Sequence, residues 1–333
     1  MAPDRDAAVD PQVSAWLDAV LPGAFEIETL PGDASANRFY RIRSAAGSKV
    51  LLVCADSGAL VNHLSMSGFF ASMDLPVARV VSSNRALGAL LMDDLGDRSL
   101  CDTAAAGRGR LYLQAVDILV RLQRDAGPYR ECIETPMGPY MPPTLGRQRL
   151  LWELEFFAEH YLCGVLGLAE RQIAEIRARF PSLLDLLRLE PLVYCHRDYH
   201  SRNIMVVGAS IYLIDLQDAR WGHPLYDLAS LLSDSYVDID PALVEACKSR
   251  FRSAKRELWA GQQEFEDQFD YVAVQRNLKA IGTFGAQARL RGRQSYLQYV
   301  PRTKRLVLQR LERHELGGLR LALQDSGFFA DIS

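Results

Sequence analysis

The chain has no cysteine pair at metal-ligand or redox spacing. Its six cysteines, Cys54, Cys101, Cys132, Cys163, Cys195 and Cys247, are scattered, with no CxxC. That excludes a zinc ribbon or a thioredoxin-type motif and reads as reduced thiols in a cytoplasmic protein. There is no block of basic residues, and the formal net charge is -3. Nucleic acid and anionic membrane surfaces are therefore not expected partners. No apolar run approaches the ~18 residues that a membrane span requires. The start, Met1-Ala2-Pro3-Asp4-Arg5-Asp6, lacks a cationic stretch followed by an apolar core, so it does not read as a secretory signal. Internal repeats and low-complexity segments are also missing.

The 333 residues, 49% apolar and 24% charged, suit a soluble globular protein of one large domain or two lobes. Two textures divide them. Between about 24 and 93, short β-type runs (Phe25–Glu28, Arg38–Ile42, Val50–Val53, Ala78–Val81, Ala89–Met92) are separated by Gly, Ser, Asn and Asp. One helical stretch, about 59 to 73, interrupts them. After Gly96 apolar residues recur at three- and four-residue steps, as in Leu111, Ala115, Ile118, Leu119 and Leu122, which predicts helices. Two further β runs, Ile204–Val207 and Ile211–Ile214, flank a Gly208-Ala209-Ser210 turn inside the helical part. The pattern predicts an α+β, two-lobed arrangement: a β-rich lobe over 1–93, a hinge at 94–98 and a helical lobe over 99–333. The cleft between such lobes is the default ligand site.

The sharpest local signal is His196-Arg197-Asp198-Tyr199-His200-Ser201-Arg202-Asn203, which meets the pattern H-R-D-x-x-x-x-N. Phosphoryl transfer needs an aligned nucleophile and neutralised charge rather than covalent chemistry. Asp198 is placed to accept or aim a hydroxyl proton, and Asn203 to hold a metal ion. Asp215 follows twelve residues later at the end of an apolar strand, where it would hold Mg²⁺, a cation that prefers carboxylate, phosphate and water oxygens. An HRD tripeptide alone arises by chance; the spaced Asn, the hairpin and the strand-end Asp together do not. His196 reads as a brace for the loop. Asp227 opens a helix and reads as a cap or a support for the same loop. Asp218 reads equally as a second carboxylate at the metal and as a solvated turn residue, and His200 as loop packing.

Earlier in the chain, Pro31-Gly32-Asp33-Ala34-Ser35-Ala36-Asn37 joins two strands with small residues that let backbone N–H groups approach phosphates. Asp33, Ala34, Ser35 and Arg38 are the nucleotide-side candidates there. Met92, Asp93, Asp94 and Leu95 end the last strand of the sheet, where a hinge would meet the adenine edge.

With these residues in place, the chain resembles the aminoglycoside-phosphotransferase-like kinases. Within them it looks most like the bacterial N-acetylmuramate/N-acetylglucosamine anomeric kinases. The resemblance runs over most of the chain. It rests on Gly32 to Ser35 with Arg38 to Arg41, Leu91 to Asp97, Pro142-Pro143 with Glu153 to Tyr161, His196 to Asn203, Ile214 to Ala219 and Tyr226 to Leu232. It implies a protein-kinase-like fold, ATP and Mg²⁺, and an amino-sugar acceptor in cell-wall recycling. Acceptor contacts would come from Glu153, Glu155, Arg202 and Arg220, although long polar side chains on a helix ordinarily face water.

One departure stands out. Kinases commonly place a strand lysine on the phosphates, paired to a helix glutamate. Here the strand reads Val50-Leu51-Leu52-Val53-Cys54, Lys49 lies at its edge as a solvated strand end, and the 59–73 helix holds no Glu. Arg38 and Arg41 are possible substitutes, each as readily a surface residue. That gap keeps a nucleotide-binding pseudokinase open as an alternative, alongside a kinase of another small alcohol or an aminoglycoside. A protein kinase fits less well, because Asp215-Leu216-Gln217 is not DFG and no APE follows.

Overall fold

The computed structural model of the chain describes residues 9–30, 37–314 and 316–332. The chain divides into two compact units, neither of them continuous in sequence. The first comprises Met1–Arg98, Cys132–Met141 and Ile204–Asp218; the second comprises Ser99–Glu131, Pro142–Asn203 and Ala219–Ser333.

In the first unit, helix α1 (Pro11–Val20) precedes β1 (Phe25–Leu30), β2 (Arg38–Ser44) and β3 (Gly47–Val53), then α2 (Ser57–Ser72), β4 (Val80–Asn84) and β5 (Ala89–Asp93). The strands form an antiparallel sheet in the order β1-β2-β3-β5-β4. Alternation decides which side chain meets which helix. Tyr40, Ile42, Leu51 and Leu91 point to one face and pack with Val13 and Leu17 of α1. Their neighbours Leu52 and Leu90 point to the other and pack with Leu60 and Leu64 of α2. Helix α1 was not among the predicted elements. Its start nevertheless carries a signal: Asp10 caps it by accepting from the Gln12 N–H at 2.8 Å, and Pro11 follows at the first helical position.

In chain order come α3 (Ala105–Asp125) of the second unit, the short β6 (Ile133–Thr135) and β7 (Gly138–Tyr140) of the first, and α4 (Arg147–Phe157), α5 (Glu170–Arg177), α6 (Phe180–Asp185) and β8 (Val193–Cys195) of the second. The predicted hairpin is present as β9 (Ile204–Val207) and β10 (Ser210–Leu213), paired antiparallel and turned at Gly208 with φ +60°. It joins the first unit through Val206 N–H to Arg98 O (2.7 Å) and Leu213 N–H to Pro76 O (2.8 Å). The second unit continues with β11 (Arg220–Gly222), antiparallel to β8, and α7 (Tyr226–Leu232), α8 (Pro241–Ala254), α9 (Gln262–Arg291), α10 (Val300–Leu311) and α11 (Gly317–Asp325).

Helix α9 is the axis of this unit. It is buried over most of its length, including Phe265, Phe269, Val272, Ala273, Val274, Leu278 and Ile281. Two glycines bring it close to the chain from Phe157 to Tyr161. A Cβ on Gly282 would stand 2.6 Å from the Phe157 Cα, and one on Gly285 would stand 2.5 Å from the His160 carbonyl oxygen. Among the described residues, no helix is long and apolar enough to cross a membrane.

Candidate active site

The loop after β8 is suspended from carboxylates. Asp227, buried at the start of α7, accepts the N–H of His196 at 2.6 Å and of Arg197 at 2.9 Å. Asp234 accepts the Ser201 N–H at 2.8 Å. Between these anchors, Tyr199 is fully buried and its hydroxyl donates to the Ala115 carbonyl of α3 at 2.7 Å. His196, also buried, stands edge-on to the Tyr199 ring at 5.6 Å. The backbone is forced into an unusual shape here: Arg197 has φ +77°, a region sparse for side-chain-bearing residues. Such a conformation costs about 1–3 kcal/mol and persists only where surrounding bonds hold it. The two Asp227 contacts supply that hold.

The turn projects Asp198, whose Oδ1 lies 3.3 Å from the Nζ of Lys279 on α9. Burial alone would raise the Asp198 carboxyl. The positive charges of Lys279 and Arg197 overcome it, so the group stays well below the ordinary carboxylate range and is ionised at neutral pH. Lys279 itself is lowered, by burial first, against the pull of Asp198. His200 is pushed down to about 4 by burial and is neutral, which fits its reading as loop packing. Asp227 is pushed up to about 7 by burial, against its two backbone donors.

Asn203 closes the turn. Its Nδ2 donates to the Asp198 carbonyl at 3.0 Å, which fixes the amide and leaves its Oδ1 as an acceptor. In the first unit, Asp215 follows β10 with φ +66°, is exposed, and accepts from Gln217 Nε2 at 2.6 Å. An amide oxygen and a carboxylate are hard donors that suit a divalent cation of the Mg²⁺ class. Among the described residues, no group of three or more His, Cys, Asp and Glu could hold a metal by itself.

The acceptor-side candidates divide. Glu153 is not solvated: it is 1% exposed, with Gln275 Nε2 at 3.1 Å and Arg197 Nη2 at 3.5 Å. Its inward face on α4 and its cationic neighbours explain the departure from the usual exposed helix glutamate. Glu155 pairs with Arg177 at 2.8 Å and is partly exposed. Arg202 lies over the Tyr236 ring at 4.2 Å and donates to the Tyr299 hydroxyl at 2.8 Å. Arg220 is buried on β11.

On the nucleotide side, Asp33, Ala34 and Ser35 lie outside the described residues. Arg38 is exposed at the start of β2. Arg41 is not a surface residue: it is 5% exposed, and its guanidinium holds Asp94 at 2.7 Å and Asp97 at 2.7 Å. Those partners engage it within the unit in place of a phosphate, and Asp94 also accepts from Ser48 Oγ. Lys49, read as solvated, instead pairs with Asp93 at 2.9 Å, because the β3–β5 register sets the two side by side. Met92 lies in β5 opposite Val50, and Leu95 follows two residues beyond Asp93.

Lys279 and Asp234 were not found from the sequence. Asp234 had a faint signal, seven residues beyond Asp227 on the far side of α7. Lys279 had none, since it lies 81 positions from Asp198.

The model of the phosphotransferase enzyme family matches residues 26–264. The chain belongs to this family. The phosphotransferase is similar to the N-acetylmuramate/N-acetylglucosamine kinase of Pseudomonas aeruginosa, with 30% identity over 339 residues, covering 94% of this chain and 96% of that protein. The kinase of the same name from Neisseria meningitidis serogroup B is 28% identical, covering 86% of each chain. Among solved structures, an amicoumacin kinase in complex with AMP-PNP and Ca²⁺ superposes with TM-score 0.61 at 16% identity, over 90% of this chain and 93% of that one. The expected α+β, protein-kinase-like fold is thus the fold of this phosphotransferase.

Proposed function

We propose that this phosphotransferase is an ATP-dependent, Mg²⁺-dependent sugar kinase that phosphorylates the anomeric hydroxyl of N-acetylmuramate, N-acetylglucosamine or both. The observation that carries the reading is the loop geometry around Asp198. An ionised carboxylate, on a strained turn anchored by Asp227, is what a hydroxyl nucleophile needs beside it. The likeness to kinases of that name across 94% of the chain supports the acceptor.

In this reading Asp198 accepts or directs the proton of the attacking hydroxyl as oxygen bonds to the γ-phosphorus and the bond to the β-phosphate oxygen breaks. Asn203 and Asp215 would hold the divalent cation, which when bound neutralises phosphate charge. Lys279 keeps the carboxylate ionised and limits its rotation. His196 and Asp227 hold the turn. The nucleotide would be met by Asp33, Ala34, Ser35 and Arg38 and by the strand end at Met92, Asp93, Asp94 and Leu95. Glu153 acts indirectly, by orienting Arg197. A polycationic aminoglycoside is the less suitable acceptor, because Asp198 already has Lys279 and Arg197 as cationic neighbours.

The test has two parts. Asp198→Asn keeps the shape and removes the base, so kcat should fall roughly 10²- to 10⁴-fold with the fold intact by circular dichroism. The wild-type product should show phosphorus coupled to H1 in its NMR spectrum and should hydrolyse in mild acid. Coupling to the C6 protons would overturn the anomeric assignment. Phosphorylation of an aminoglycoside but of neither sugar would overturn the acceptor.

A further inference from the structure

Among the described residues, the second unit contains a buried cation with no hydrogen-bond or ion-pair partner. Arg276 of α9 is 6% exposed. Its Nε is buried without a hydrogen-bond partner, and among the described residues its guanidinium makes no hydrogen bond and no ion pair. It is one turn before Lys279, so the two share a helix face. Lys279 reaches Asp198 at 3.3 Å, which sets that face toward the catalytic loop. The field of Arg276 is felt at Asp198, Lys279, His200 and Tyr236.

The other arginines around this loop have partners. Arg197 holds Glu153 at 3.5 Å, and Arg202 is engaged with Tyr236 and Tyr299. The nearby carboxylates are also committed: Glu153 to Gln275 and Arg197, Asp227 to two backbone N–H groups, Asp198 to Lys279. A buried guanidinium whose fork of donors meets no carboxylate directly is costly to keep, even with the Asp198 and Asp227 charges within reach of its field. An anion supplied by a ligand removes that cost. A planar fork of donors matches a carboxylate in two parallel hydrogen bonds.

We propose that Arg276, assisted by Lys279, is the carboxylate-recognition residue of the acceptor site and favours an acidic N-acetyl sugar over its neutral counterpart. The proposal rests on the sugar-kinase reading and deepens it. N-acetylmuramate carries a carboxylate that N-acetylglucosamine lacks, so the two sugars report on this one contact. An alternative anion, the transferred phosphoryl group, is common to both reactions and would not distinguish them.

The experiment compares kcat/KM for the two sugars in the wild type, Arg276→Gln and Arg276→Lys. Loss of one charge-assisted fork should lower kcat/KM for N-acetylmuramate roughly ten- to a hundredfold more than for N-acetylglucosamine, mainly through KM. Arg276→Lys, which keeps charge without the fork, should fall between. Calorimetric titration of each sugar into nucleotide-free protein supplies a second readout: the variant should lose its preference for the acidic sugar. The thermal midpoint of Arg276→Gln should be unchanged or raised, because an unsatisfied buried charge has been removed. An equal fall for both sugars assigns Arg276 to the phosphoryl group and overturns the proposal. An unchanged preference with a lowered midpoint makes Arg276 structural and overturns it too. If the wild type phosphorylates neither sugar, the sugar reading fails along with this inference; equal falls leave that reading standing.

Discussion

His223 accepts the Leu225 N–H on Nδ1 at 3.0 Å, so its proton belongs on Nε2, which faces Gln268 Oε1 at 3.3 Å. Protonation would place a second N–H against the Leu225 donor. Burial accordingly lowers His223 to about 4, and it does the same to His63 and His200. All three lie below the ordinary value of about 6.5. Their stabilising contribution is present above pH 6.5 and is lost as pH falls toward 4. Asp227, raised by burial to about 7, acts in the opposite direction over much of the same window. Three histidines against one carboxyl leave a net uptake of about two protons on unfolding near pH 5, a slope on the order of 2 kcal/mol per pH unit. Urea unfolding free energies at pH 7, 6 and 5 should therefore decrease in that order. A flat or rising series would show that these rings are not neutral in the native protein. The same burial explains what the sequence does not disclose at this scale. Asp198 and Asn203 announce themselves by spacing, because one turn contains both. Glu153, Arg276 and Lys279 look like ordinary helix-surface charges, since the partners that make them special lie 44 to 122 positions away or are absent.

Helix α9 shows the corresponding limit for elements. Gly292 at φ +67° marks its end and is readable locally, but the burial of the helix is not, because the stretch mixes Phe, Val and Ile with Glu, Asp, Gln and Arg. The two glycines at 282 and 285 show only that something passes close by; the fold supplies Phe157 and His160. Gly282→Ala should destabilise by about 1–3 kcal/mol, because the added methyl meets backbone atoms that have no rotamer to yield. The contrasting substitution is Gly109→Ala in α3, where a Cβ meets nothing within 4 Å. There the loss of chain entropy in the unfolded state should stabilise by about 0.5–1 kcal/mol. Chemical denaturation of both variants decides the matter; similar midpoints for the two would show that α9 is not seated on those backbone atoms. The strands of the first unit were the easier reading, since alternation in Leu51-Leu52 and Leu90-Leu91 maps directly onto two packed faces.

For the molecule as a whole, a linear reading carries the order of the elements but not their membership. Nothing local in 132–141 or 204–218 names Arg98, Pro76 or the other groups they join. An excised fragment of residues 1–98 should therefore lack a cooperative unfolding transition, because Arg98 and Pro76 lose their β9 and β10 donors and α2 loses Pro136 of the β6–β7 turn, which packs against Gly68. Circular dichroism of that fragment through a urea titration is the check. A sharp transition close to that of the full chain would mean that the sheet and its two helices suffice. The discontinuity also bears on recombination between relatives. A crossover near residue 98 transplants only part of the first unit and leaves mismatched seams at Arg98, Pro76 and Gly68. An exchange that respects the fold has to move three segments together, 1–98, 132–141 and 204–218, and Asp215 travels with them while Asp198 and Asn203 stay behind.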